Sequence, residues 1–518
     1  MQVRTIPFLS LALLATMGCY SMGSEKSDDT ADGDWGAPSE GDADTDPDDD
    51  TDWGSETEED FLMLPPATTD KYVFVANPER DTLTRVAVPS LEVITVGVGN
   101  HPAAVATSPD YSKAVSFNAD SNDVSVVDAE SLEVVDVPVR ANLNAMSMSP
   151  DGRWVVVFHD ADVEDDELDD QGGAQSFNEI SLVDTDSFED FPMVVGANPR
   201  QVQYTQASDS AIVVSDQYLA IINLSVATPE PVMVQITEDL LAPLKAEELE
   251  VAPDGSYAFV RQFGSSEIVV VDLATLDVER VPVGYNPTDL DLSPDGSKAI
   301  VVSRGDSELW MLSTADPFDV PEVVELPTSF VLGSLNMLPD GSGGILYTTA
   351  LLQDRYATWD LDSGDVNVRS LVKPVDSLSI SPTGESLLVF HTLEDMVDAD
   401  PDGAFYEQWA LSMIDLDDFR ANPLTLSSEP LEYANSLDGL HGYFVQDGNE
   451  SMVRLDYQTL LYEEIDLKSQ PEHVGVLPDS PYAWVSQEHD LGRISFYDAD
   501  QESLETITGF ELNSEIEH

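Results

Sequence analysis

The 518-residue chain has one cysteine, and only 21 lysines and arginines against 100 aspartates and glutamates. With a single thiol no internal disulfide can form, so stability in an oxidising compartment has to come from packing. The scarcity of cations excludes nucleic acid as a partner, because phosphate binding needs clustered lysine and arginine. Enzyme signatures are equally sparse. There is no G-x-S-x-G elbow, no P-loop, and no thiol beyond Cys19 for nucleophilic work. The segment from Gly97 to Pro102 (GVGNHP) begins like a dinucleotide loop, but it links two strands and no helix follows it.

What is present is apolar enough to fold: hydrophobic residues make up 42%, the share of a globular chain. The acids are spread along it. Residues 20–60 hold 17 acids and one base, Lys26, whereas residues 61–518 hold 83 acids and 19 bases, which is −64 of the overall −79. A folded surface so charged repels itself, which points to a saline habitat or a requirement for cations.

The N-terminus, MQVRTIPFLSLALLATMGCYS, combines a basic Arg4, an apolar run from Ile6 to Met17 and a small Gly18 immediately before Cys19. The run is too short for a membrane-spanning helix and has the form of an export signal. It resembles the bacterial lipoprotein signal and departs from it at Thr16, where that family usually has leucine. The resemblance implies a signal over residues 1–18, a diacylglycerol on the Cys19 thiol, and residence in the cell envelope, at the outer membrane or cell surface. Residues 19–60 then read as the lipidated cysteine and an acidic tether, too polar to bury a core and extended by its own charge.

Repeats occupy the remaining domain, residues 61–518. A turn of the S-P-D-G type followed by an apolar run recurs from Ser108, Ser149, Ala252, Ser293, Leu338, Ser381, Ser436 and Leu477, with a weak copy at Ala207 and an opening LPPATTD at Leu64. The ten units are spaced 41 to 58 residues apart, a period proper to propellers or solenoids. Seven of them close their third apolar strand on an aspartate: Asp128, Asp184, Asp272, Asp360, Asp415, Asp456 and Asp498. Such an aspartate caps the turn that follows. Four short strands per unit and no helical period predict an all-β propeller of about forty strands, closed as one large ring or divided between two smaller ones. The unit VPVGYNPTDLDLSPDGSKAIVVSRGDSELWML resembles the YVTN-type bacterial surface repeat. The resemblance implies the propeller and leaves activity open, since propellers serve binding, scaffolding and unrelated chemistries.

Units three and eight depart from the rest in one way. Each ends its second strand in V-F-H, at His159 and His391, and then inserts an acidic loop. The shared departure, five units apart, points to duplication of a five-unit half. Both insertions belong to the ring face that also carries the blade-to-blade links, where His101 and His473 are placed. These four histidines are the candidate ring-face site, set against the plainer role of strand-end histidines bonded to carbonyls. In the eighth-unit loop Asp398, Asp400 and Asp402 alternate before Gly403 like the first half of a calcium loop, but Trp409 stands where a bidentate glutamate belongs and Glu407 is the nearest acid. Those four acids are the candidate Ca²⁺ ligands; the alternative is a solvated loop. The sequence thus reads as a lipid-anchored, non-catalytic propeller that binds a protein or glycan or scaffolds the envelope. The rival is a lactonase-like or quinoprotein-like hydrolase or oxidoreductase with a cation in the ring, in which the acids of the insertions would converge on one pocket.

Overall fold

The computed structural model describes residues 67–160, 178–397, 399–478, 480–489 and 491–509. The signal, Cys19, the acidic tether, most of the third-unit insertion and Asp398 lie outside them. Forty strands form ten four-stranded antiparallel sheets, each from four consecutive strands and ordered from the inside outward. They are blades 1 to 10 in chain order. Second strands such as Trp154–Phe158 (WVVVF) are buried throughout, because neighbouring blades cover both of their sides, and so they read as unbroken apolar runs instead of alternating ones. The outermost strands, such as Leu461–Asp466, are largely exposed.

Inner strands manage an exposed edge. Five of them open on proline, at Pro102, Pro199, Pro287, Pro430 and Pro471, and each shifts register by a bulge just after it. Proline has no N–H to give to a ladder, so strand starts and bulges are where it is tolerated. The N–H groups left on the inner edge are taken by the preceding blade. Gln201 Oε1 accepts from Leu249 N at 2.7 Å, Glu432 Oε2 accepts from Val474 N at 2.6 Å, and the Asp289 carboxyl accepts from Leu335 N.

Ten apolar clusters of the described residues lie one at each blade-to-blade seam. The cluster that joins blade 10 to blade 1 packs Leu477, Trp484, Ile494 and Phe496 on Val73 and Val86. The blades therefore close a single ring of ten. No strand is exchanged at this seam, since blades 1 and 10 each draw all four strands from their own stretch of chain.

Antiparallel order divides the loops between two faces. The turns after the first and third strands open on one face, and the links after the second and fourth on the other. The first, the turn face, satisfies itself. In the S-P-D-G turn at Ser149 the Gly152 N–H donates to the Ser149 carbonyl at 2.8 Å, while Ser149 Oγ donates to Asp151 at 2.6 Å and accepts from Trp154 N at 2.9 Å. Gly152 has φ +71°, and a Cβ there would also press on Ser108 of the neighbouring blade's turn, so both conformation and space require glycine. The strand-end aspartates cap as expected. Asp128 accepts from Glu130 N at 3.1 Å and Ser131 N at 2.7 Å, and Asp272 accepts from Ala274 N at 2.9 Å and Thr275 N at 2.8 Å. Hydrogen bonds from the turn lower the pKa of both carboxyls.

Candidate functional site

The other face, the insertion face, is built differently. It carries the inserted loop of blade 8, residues 392–409, between second strand Ser386–His391 and third strand Ala410–Asp415. Lys373, in the link from blade 7, fixes both ends of this loop. Its ammonium is 2% exposed and donates to the carbonyls of Leu393 and Gln408, each at 2.9 Å, and pairs with Asp395 Oδ1 at 2.9 Å. The other Asp395 oxygen accepts from Glu407 N at 2.6 Å. A desolvated ammonium with three anionic or dipolar acceptors holds the loop as one piece.

His391 sits at the base of the same loop. Its Nδ1 lies 3.1 Å from the Pro374 carbonyl and its Nε2 2.8 Å from Ser412 Oγ. Because a carbonyl only accepts, Nδ1 carries the proton and Nε2 accepts from the serine. Burial pushes its pKa down to about 4, with the Lys373 charge adding to the effect. The imidazole is neutral at physiological pH, and both nitrogens face protein groups.

The remaining sequence candidates do not gather around it. His159 is buried at the end of the second strand of blade 3, five blades away and therefore across the ring. His101, with φ +54°, stands in the link to blade 2 and donates its N–H to Asp81 at 2.9 Å. His473 departs from its expected place in a link: it is the third residue of the inner strand Pro471–Val476 of blade 10. The strand begins at the proline, and the bulge between Pro471 and Val474 holds His473 within it. There Nδ1 lies 3.5 Å from Glu432 of blade 9. Burial opposes its charge, but the bond to the Glu432 carboxylate and that carboxylate's charge hold its pKa above the usual histidine value.

Asp400 and Asp402 are exposed, and Asp400 Oδ1 accepts from Asp402 N at 3.0 Å, closing its own turn. Among the described residues no group of three His, Cys, Asp or Glu side chains is placed to hold a metal; Asp398 is not among those residues. Sequence reasoning missed Lys373, Asp395 and the cross-blade acceptors Gln201, Asp289 and Glu432, none of which belongs to a motif.

Acids also crowd the rim near this loop. Burial pushes the carboxyl of Asp376, second in the inner strand of blade 8, up to about 6, with Glu429 adding its charge; burial and Asp447 raise Glu429. An acid whose folded pKa exceeds its unfolded value stabilises the fold below the unfolded pKa, and that contribution is lost as pH rises through 6. Asp376→Asn is therefore expected to stabilise the protein by about 1 kcal/mol at pH 7 and hardly at all at pH 4. Melting of both proteins at the two pH values checks this.

Fold and faces together define the class: a ten-bladed β-propeller with one self-satisfied face and one elaborated face. No family model matches the chain, and no curated protein matches its sequence. Solved structures do. A crystal structure of the eukaryotic initiation factor is 12% identical, with 77% of this chain and 96% of that one covered at a TM-score of 0.50. Apo AztD from Citrobacter koseri is 14% identical over 78% and 97%, TM-score 0.43, and Kuenenia stuttgartiensis hydrazine synthase 16% identical over 61% and 99%, TM-score 0.31. Likeness at these identities is a likeness of fold.

Proposed function

We propose that the chain is a bacterial lipoprotein of the YVTN-repeat kind, anchored through a lipid on Cys19 at the outer membrane or cell surface, whose ring is a non-catalytic binding module for a protein or glycan. The observation that carries the binding reading is the blade-8 loop on the insertion face, fixed by Lys373 and presenting Leu393 and Val397 to solvent. Large apolar side chains stand in water on both faces, among them Phe318 and Val320 (89% exposed) on the turn face and Leu241 (96% exposed), Phe263 and Tyr285 on the insertion face; what the insertion face adds is a loop tied down at both ends by Lys373, with Val397 in water. Apolar side chains exposed on a loop held in one shape, within a charged surface, mark an interaction site.

Anchoring rests on Gly18 and Cys19. Replacing Cys19 with serine is expected to move the protein from the membrane fraction to the soluble one, and unchanged retention would remove the anchor. Binding is tested by capture from cell envelope, with and without calcium, because Asp398, Asp400, Asp402 and Glu407 share the blade-8 loop. A partner held through the insertion face is the expected result. Substrate turnover at that face would replace binding with the enzymatic alternative.

A further inference from the structure

The blade-8 loop encloses a concavity on the insertion face. Leu393, Met396, Val397 and Tyr406 supply apolar wall, and Glu394 and Glu407 stand beside them. Leu393 is 43% exposed and Val397 fully so, and both glutamates are exposed. Asp395, the third acid among the described lining residues, is already paired with Lys373 beneath it, so Glu394 and Glu407 are the lining carboxylates that meet a ligand first. An apolar wall with a tyrosine and two carboxylates at its edge is complementary to a side chain with a long apolar stem and a cationic head. The shape is also held before any ligand arrives, because Lys373 ties the backbone at Leu393 and Gln408 and Asp395 ties it at Glu407. Such preorganisation lowers the ordering cost of binding.

We propose that this concavity receives one basic side chain, a lysine, presented by an extended segment of a partner protein. The proposal rests on the binding reading above and names its chemistry. The stem lies along Leu393, Val397 and Tyr406, and the ammonium sits between Glu394 and Glu407. The strong acidity, −64 over residues 61–518, draws a basic partner towards the protein, and the apolar wall selects where it docks.

The probe is the capped peptide acetyl-Ala-Leu-Lys-Leu-Ala-amide, compared by calorimetry with its norleucine analogue, which keeps the stem and removes the charge. The lysine peptide is expected to bind about tenfold more tightly. The double variant Glu394→Gln, Glu407→Gln should abolish that difference, while Glu464→Gln, Glu505→Gln, which removes the same charge from the outer strands of blades 9 and 10, should preserve it. Equal affinity of the two peptides, or equal loss in both double variants, would overturn the site. If the site fails while capture from envelope is still made through the insertion face, the binding reading survives and only its chemistry is wrong; if capture fails as well, both fall.

Discussion

Replacing Asp395 with alanine is expected to cost about 3 kcal/mol, because it strips the carboxylate from a buried ammonium and leaves the Lys373 charge facing two carbonyls. The size follows from desolvation. A surface ion pair contributes at most about 1 kcal/mol, since water replaces the lost partner, but Lys373 is 2% exposed and water cannot reach it without displacing the loop. The double replacement Lys373→Met, Asp395→Leu, which removes both charges together, should restore much of the loss. Chemical unfolding of the three variants decides the matter. A single-variant cost below 1 kcal/mol would mean that the loop is not held by this contact, and the preorganised concavity would lose its support.

The second large effect belongs to the seam between blades 10 and 1. Trp484 is 1% exposed there and packs with Phe496, Val73 and Val86, so Trp484→Ala is expected to cost about 3–5 kcal/mol from lost burial and the cavity left behind. Phe259→Ala at the seam of blades 5 and 6 removes a side chain of similar burial. The two differ in consequence. At the seam of blades 5 and 6 a short link still holds the blades side by side, whereas among the described residues no chain crosses from blade 10 to blade 1, so the opened edges have the whole ring to separate through. Hydrogen exchange should therefore quicken across blades 1 and 10 in Trp484→Ala, but stay local to the seam in Phe259→Ala. Identical local patterns would contradict closure by packing alone.

Much of this architecture was legible before any coordinates. The S-P-D-G turns and strand-end aspartates are local chemistry: a glycine at positive φ, a serine and an aspartate that satisfy nearby N–H groups, all within a few residues. The insertions of blades 3 and 8 were equally plain as breaks in spacing. The single ring was not. Apolar strands at the seam of blades 10 and 1 look like those of any other seam, and without an exchanged strand no residue announces closure. Lys373 was silent because its partners, Leu393, Asp395 and Gln408, lie 20 to 35 residues further on and meet it only when the loop folds back. His473 was misplaced by two residues because the bulged inner strand begins at its proline. Asp289 and Glu432 reach across a seam to cap an N–H of the next blade, a pairing that depends on which blades are neighbours.

Hydrogen exchange of the full chain, free and in complex with the partner captured from envelope, tests the central claim most directly. If the ring is a binding module that works through its insertion face, protection should appear in the loop 392–409 and in the links and second-to-third-strand loops that bear Leu241, Phe263 and Tyr285, while the turns at Ser149, Ser293 and Ser436 exchange as in the free protein. Protection confined to those turns, or none on the insertion face, would contradict it.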